Sequence, residues 1–208
     1  MSSSRSPQRA VSRGDRFGII AFVVAGVATI IWAVVRSVIG IVHALPNRDI
    51  ELDAPFVNTM AQAPIGPDGA AVTVSLDTAV IVAPSLPWPS LVALIIAQAL
   101  FAAIVVTVVA LLIALCLGIL RGRIFSRRHT TLVSIAGLLT LVGMYGVPFL
   151  YNMAVNGALA RISDYTYDRS VVGTIDLLPI VAVAFVSAIA GTVFVVGDRL
   201  QRDTEGLV

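Results

Sequence analysis

The sequence contains no lysine, one cysteine, two histidines and only 12% charged residues, and each shortage closes off a class of function. Without lysine there is no P-loop, which needs that ammonium against the terminal phosphates of a nucleotide. Cys116, inside an apolar run, has no second cysteine for an intramolecular disulfide or a cysteine-based zinc site. His43 and His129 occupy no His-Glu-x-x-His pattern, and there is no Gly-x-Ser-x-Gly nucleophile elbow. A net charge of +2 is too small for a strongly cationic nucleic-acid binder. No catalytic set, metal or cofactor is therefore predicted, and no direct nucleic-acid contact.

What the chain has in abundance is apolar sequence: 58% of residues are hydrophobic and the mean hydropathy is +0.95. Four runs reach the roughly 20 apolar residues that a hydrocarbon core requires. The pattern predicts an all-α membrane protein, a four-span helical bundle with spans at about 17–43, 90–120, 131–155 and 177–197, forming one membrane domain over 17–197. A disordered cytoplasmic tail, 1–16, precedes it and a second cytoplasmic tail, 198–208, follows. The run Phe17 to Val35 is longer than the apolar core of a signal peptide, although Val42-His43-Ala44 imitates a cleavage site. Asp176 reads as the N-cap of the fourth span, with Pro179 in its first turn.

Arginine distribution sets the expected direction. Arg5, Arg9, Arg13, Arg16, Arg121, Arg123, Arg127, Arg128, Arg199 and Arg202 share one side, whereas Arg36, Arg48, Arg161, Arg169 and most of the carboxylates fall on the other. Basic residues near span ends stay in the cytoplasm, so both termini are expected inside a bacterial plasma membrane. Trp32, Trp88, Tyr165 and Tyr167 then lie near the outer interface, where amphipathic rings concentrate.

The outer loop, 46–89, carries a strand signature. Val72, Val74 and Leu76 alternate with Thr73, Ser75 and Asp77, and the stretch Asp49 to Val57 is a candidate partner strand. Gly66-Pro67-Asp68-Gly69 between them suits a type I turn. A lone hairpin is marginal in water, so this small extracytoplasmic β-hairpin is expected to lean on the helix ends.

Several polar groups stand out against the apolar background. Arg36, flanked by apolar sequence on both sides, either marks a site or carries its charge out to the headgroups. Tyr145, Pro148, Asn152 and Asn156 share one helical face and form a candidate polar cavity, although asparagines also serve as glue between helices. Acidic residues are absent from the span interiors, which removes the usual proton-relay groups. Small residues recur every four positions at Ala21, Ala25, Thr29 and Ala33, at Ala110, Ala114, Gly118 and Gly122, and at Ala184, Ala188 and Thr192. Such stripes pack a bundle internally or form the face of a homo-oligomer. The inner junction offers Arg121, Arg123, Phe125, Arg127 and Arg128 to anionic membrane lipids or to a cytoplasmic partner.

That junction, Arg121-Gly122-Arg123-Ile124-Phe125-Ser126-Arg127-Arg128, lies between a long second span and a third that opens Leu132-Val133-Ser134-Ile135. It resembles the corresponding region of the bacterial integral-membrane family called domain of unknown function two-nine-seven-five. The order of parts is also similar: about four spans, a sizeable outer loop with strand character, and a short basic inner loop. The resemblance implies a membrane partner of a small cytoplasmic helix-turn-helix regulator and assigns no activity. The expectation is thus a non-enzymatic interaction or regulatory membrane component, with a small transporter or permeability component as the alternative and a membrane-embedded enzyme third.

Overall fold

The computed structural model describes residues 13–120, 127–166 and 177–205. Helix α1 (Arg13–Ala44) leads into a hairpin of β1 (Ile50–Ala63) and β2 (Val72–Ala83), followed by α2 (Trp88–Leu120), α3 (Arg127–Ile162) and α4 (Leu177–Glu205). Each helix contains a stretch long and apolar enough to cross a membrane. α1, α2 and α3 each pack on a sequence neighbour, and α4 packs on α3. We call the two ends of the bundle the hairpin end and the junction end.

Both expected tails are in part helical. α1 starts at Arg13, and α4 continues through Glu205, well past Gly197. α3 also outruns its expected end at Val155, because Ala158 and Leu159 continue its buried face beneath the hairpin. It stops where Asp164 turns left-handed (φ 50°) and the Tyr165 N–H donates to the Ala160 carbonyl, a Schellman-type ending. The expected cap Asp176 and ring Tyr167 lie outside the described residues.

The hairpin is docked rather than pendant. Ile50, Leu52, Ala54 and Phe56 from β1 and Ala83 from β2 join Ala44, Leu91, Leu94, Val155 and Leu159 in one buried cluster. Apolar burial at about 25 cal/mol per Å² supplies what an isolated two-stranded sheet lacks. Asn47 fixes the two ends of the hairpin together: it takes the left-handed conformation (φ 50°), and its side-chain amide pairs with the backbone of Leu86 in both directions, at 3.0 and 2.7 Å.

The antiparallel register runs from Ile50 opposite Ala83 to Ala63 opposite Val72, with an irregularity between Pro55 and Thr59. That irregularity changes the phase of β2. Val74 and Leu76 are its less exposed residues on one side of it, and Ala79, Ile81 and Ala83 on the other. The tip differs from the expected type I turn, which requires a negative φ at Asp68. Asp68 and Gly69 both have positive φ (55° and 78°), and the Ala70 N–H donates to the Pro67 carbonyl. This is the Asp-Gly geometry of a type I′ turn, set within the loop of residues 64–71 that joins the strands.

The helix seams also differ from the expected stripes. Ala21, Ala25, Thr29, Ala110, Ala114, Ala184, Ala188 and Thr192 are all exposed; Ala33 is buried, Gly118 is half-buried against His129, and Gly122 lies outside the described residues. A four-residue step rotates about 40° around the helix, so such a stripe drifts off any straight seam. The observed α1 seam uses seven-residue steps, Gly26, Ala33 and Gly40, which drift only about 20° each. A Cβ at Gly26 would sit 3.1 Å from Val109 and Ile113, and the Ser37 hydroxyl donates to the Gln98 carbonyl at 2.8 Å.

Candidate functional site

A half-open cleft of about 1050 Å³ lies at the hairpin end. α2 forms its back wall with Leu94, Ala97, Gln98 and Phe101; α1 brings Arg36, Gly40 and His43, and α3 brings Val147, Pro148 and Tyr151. The unpaired edge of β1, Ile50 to Asp53, closes it toward the hairpin, beside Arg48 and Asp49 of the connecting turn.

Arg36 stands four residues after Trp32, on the same face of α1. Its guanidinium lies 5.7 Å from the Trp32 ring centre and 5.2 Å from that of Phe101, and the two rings meet edge to face at 6.1 Å. Cation–π attraction of about 0.5–1 kcal/mol per exposed contact holds the charge on an apolar surface while leaving its N–H groups available. The side chain is exposed and makes no ion pair or hydrogen bond with the described residues.

Tyr151 joins α3 to the hairpin. Its hydroxyl accepts a hydrogen bond from the Asp53 backbone N–H at 2.9 Å, and it lines the cleft together with Asp53 and Arg36. The phenolic proton remains free to donate into the cleft. Gln98 presses its carboxamide against Gly40, where a Cβ would come within 3.0 Å of it. Among the described residues that carboxamide has no hydrogen-bond partner. Asp49, Glu51, Asp53, Arg36 and Arg48 therefore surround one cavity with charges of both signs, and none of these side chains pairs with another described residue. Such an arrangement can bind and orient a polar ligand.

Of the sequence-predicted cavity residues, Pro148 lines the cleft and the others do not. Tyr145 is exposed and stacks on Phe149 at 6.1 Å, and Asn152 is half-buried. Asn156 keeps a buried Oδ1 that finds no partner among the described residues. The cleft face of α3 is centred near Tyr151, about 100° around the helix from Asn152, so the predicted face meets it only at Pro148. Gln98, Tyr151 and Asp53 were missed. A usable signal existed for Gln98, the one carboxamide in α2, since polar side chains within apolar spans are rare and tend to be functional.

At the junction end, Arg121, Arg123 and Phe125 lie outside the described residues. Arg127 and Arg128 open α3, and Arg128 is exposed. His129 is buried against α2 so closely that a Cβ at Gly118 would collide with its imidazole.

No family model, no curated protein and no solved structure matches this chain.

Proposed function

We propose that this protein is a non-enzymatic multi-pass membrane component that holds a ligand in the hairpin-end cleft and couples its occupancy to a partner at the junction end. In this reading the helices cross a bacterial plasma membrane, with the hairpin outside and both termini in the cytoplasm. The observation that carries it is the cleft itself, where three helices and the hairpin contribute uncompensated polar groups to one cavity. A ligand touching Arg36, Gln98 and Tyr151 touches α1, α2 and α3 together, so it favours one packing of these helices over another. The distribution of arginines supports the orientation. Arg121, Arg123, Phe125, Arg127 and Arg128 suit the docking of an acidic partner or acidic lipid, and the resemblance noted above supports a small helix-turn-helix regulator as that partner.

Affinity purification from native membranes after mild crosslinking tests the coupling. A cytoplasmic protein should be recovered in stoichiometric amount, and should be lost when the four junction arginines are replaced by glutamine. Undiminished recovery from a correctly oriented variant would remove the junction from the account.

Pro148 favours a second reading, a small transporter or permeability component. It lines the cleft from inside α3 and supplies no N–H for the carbonyl four residues earlier, which allows a helix to flex. Flux of ions or amphiphiles in proteoliposomes, reduced by Pro148→Ala, is the signature of that reading. A preparation that moves none of them would discard it.

A further inference from the structure

The chemistry of the cleft narrows what it holds, given the reading above that it is a ligand site in a membrane. A simple anion approaching Arg36 would meet the carboxylates of Glu51 and Asp53, and a simple cation approaching those carboxylates would meet Arg36. A molecule carrying both signs a few ångströms apart satisfies both. Tyr151 lines the same cleft, with its hydroxyl bonded to the Asp53 backbone N–H. The lower wall, at Phe101, is apolar.

In a membrane, the length of α1 would set the cleft at the level of the lipid headgroups. The apolar part of α1, Phe17–Ala44, has 28 residues. At about 1.5 Å per residue it is roughly 42 Å long, some 12 Å more than a typical hydrocarbon core of about 30 Å. With Phe17 at one hydrocarbon boundary, the other falls beside Arg36 and the cleft extends from there into the headgroup layer. α1 and α3 both pack on α2 with little direct contact between their described residues, which suits an opening of the half-open cleft between these two helices.

We propose that the cleft seats a zwitterionic phospholipid from the leaflet at the hairpin end, its phosphate on Arg36 and Gln98, its ammonium toward Glu51 and Asp53, and its acyl chains leaving across Phe101. The stacking of Arg36 on two rings makes this a built site: it positions the guanidinium without neutralising it.

The test is native mass spectrometry of the full chain released from nanodiscs holding equal parts phosphatidylethanolamine and phosphatidylglycerol with matched chains. It is paired with photocrosslinking from a benzoylphenylalanine placed at position 42, where Val42 lines the cleft, is exposed and carries no assigned contact. The wild-type protein should retain the zwitterionic lipid over the anionic one by about tenfold, equivalent to roughly 1.4 kcal/mol. Glu51→Gln with Asp53→Asn should reverse that preference, Arg36→Gln should abolish retention of both lipids, and Arg36→Lys should restore part of it. Equal retention of the two lipids, or retention unaffected by Arg36→Gln in a variant that keeps its thermal midpoint, would overturn the proposal. So would full competition by soluble glycerophosphoethanolamine, which would assign the site to a free solute. A different crosslinked molecule at position 42 would overturn the lipid assignment while leaving the cleft as a ligand site; no crosslink to any molecule would overturn both.

Discussion

The hairpin end and α4 are built on opposite principles. At the hairpin end, side chains from α1, both strands, α2 and α3 enclose one another, and Leu52, Ala54, Val155 and Leu159 are almost fully buried. α4 packs on α3 and leaves Leu178, Phe185, Val186 and Val193 largely exposed. One region is a protein core of the kind found in water-soluble domains. The other is apolar all round, and in a membrane its solvent is lipid. A binding cleft with fixed polar groups belongs with the first kind, because only there does surrounding packing hold each group in place.

The comparison breaks most readily at its core. Leu52→Ala should cost about 2–5 kcal/mol, whereas Phe185→Ala on α4 should cost under about 0.5 kcal/mol of protein stability. Thermal unfolding in a mild detergent checks this pair, and equal losses would erase the distinction. Next in size is Gly157→Ala. The glycine faces Ser90 so closely that a Cβ would collide with it, and an expected cost of about 1–3 kcal/mol should separate α3 from the start of α2. Protease cleavage within residues 64–71 should become faster in that variant.

Asn47→Ala removes both hydrogen bonds to Leu86 and leaves a half-buried backbone short of partners. About 1–3 kcal/mol should be lost, with faster amide exchange concentrated at Leu86. The smallest of these effects sharpens the comparison best. Tyr151→Phe removes one acceptor and should cost only about 0.5–1.5 kcal/mol, yet it should free the Asp53 amide and weaken ligand retention in the cleft. A stability loss as large as that of Leu52→Ala would mean that Tyr151 is a core residue first.

The readable parts of the sequence were those with a short-range physical cause. Four apolar runs announced four helices, and the alternation at Val72, Val74 and Leu76 announced a strand. The Asp-Gly pair decided the turn, one residue along from the arrangement that Pro67 suggested. Features depending on how helices face one another were less legible. α2 is apolar on nearly every side, so apart from Gln98, which does meet α1, little in its sequence says which face packs there. The four-residue stripes looked like seams, but a seam needs Gly26, Ala33 and Gly40, which keep station over two heptads. Tyr151 was hidden because its role depends on Asp53, 98 residues away in sequence. The phase change between Pro55 and Thr59 likewise arises from pairing, and no local pattern encodes it.

Amide hydrogen exchange of the full chain in nanodiscs tests the central claim, that the docked hairpin closes a preformed cleft. Slow exchange should appear across residues 50–55 and 78–83, fast exchange across 64–71, and Tyr151→Phe should accelerate Asp53 while leaving the rest of the hairpin protected. Uniformly fast exchange from 50 to 83 in the wild-type protein would mean that the hairpin is not docked and that the cleft does not exist.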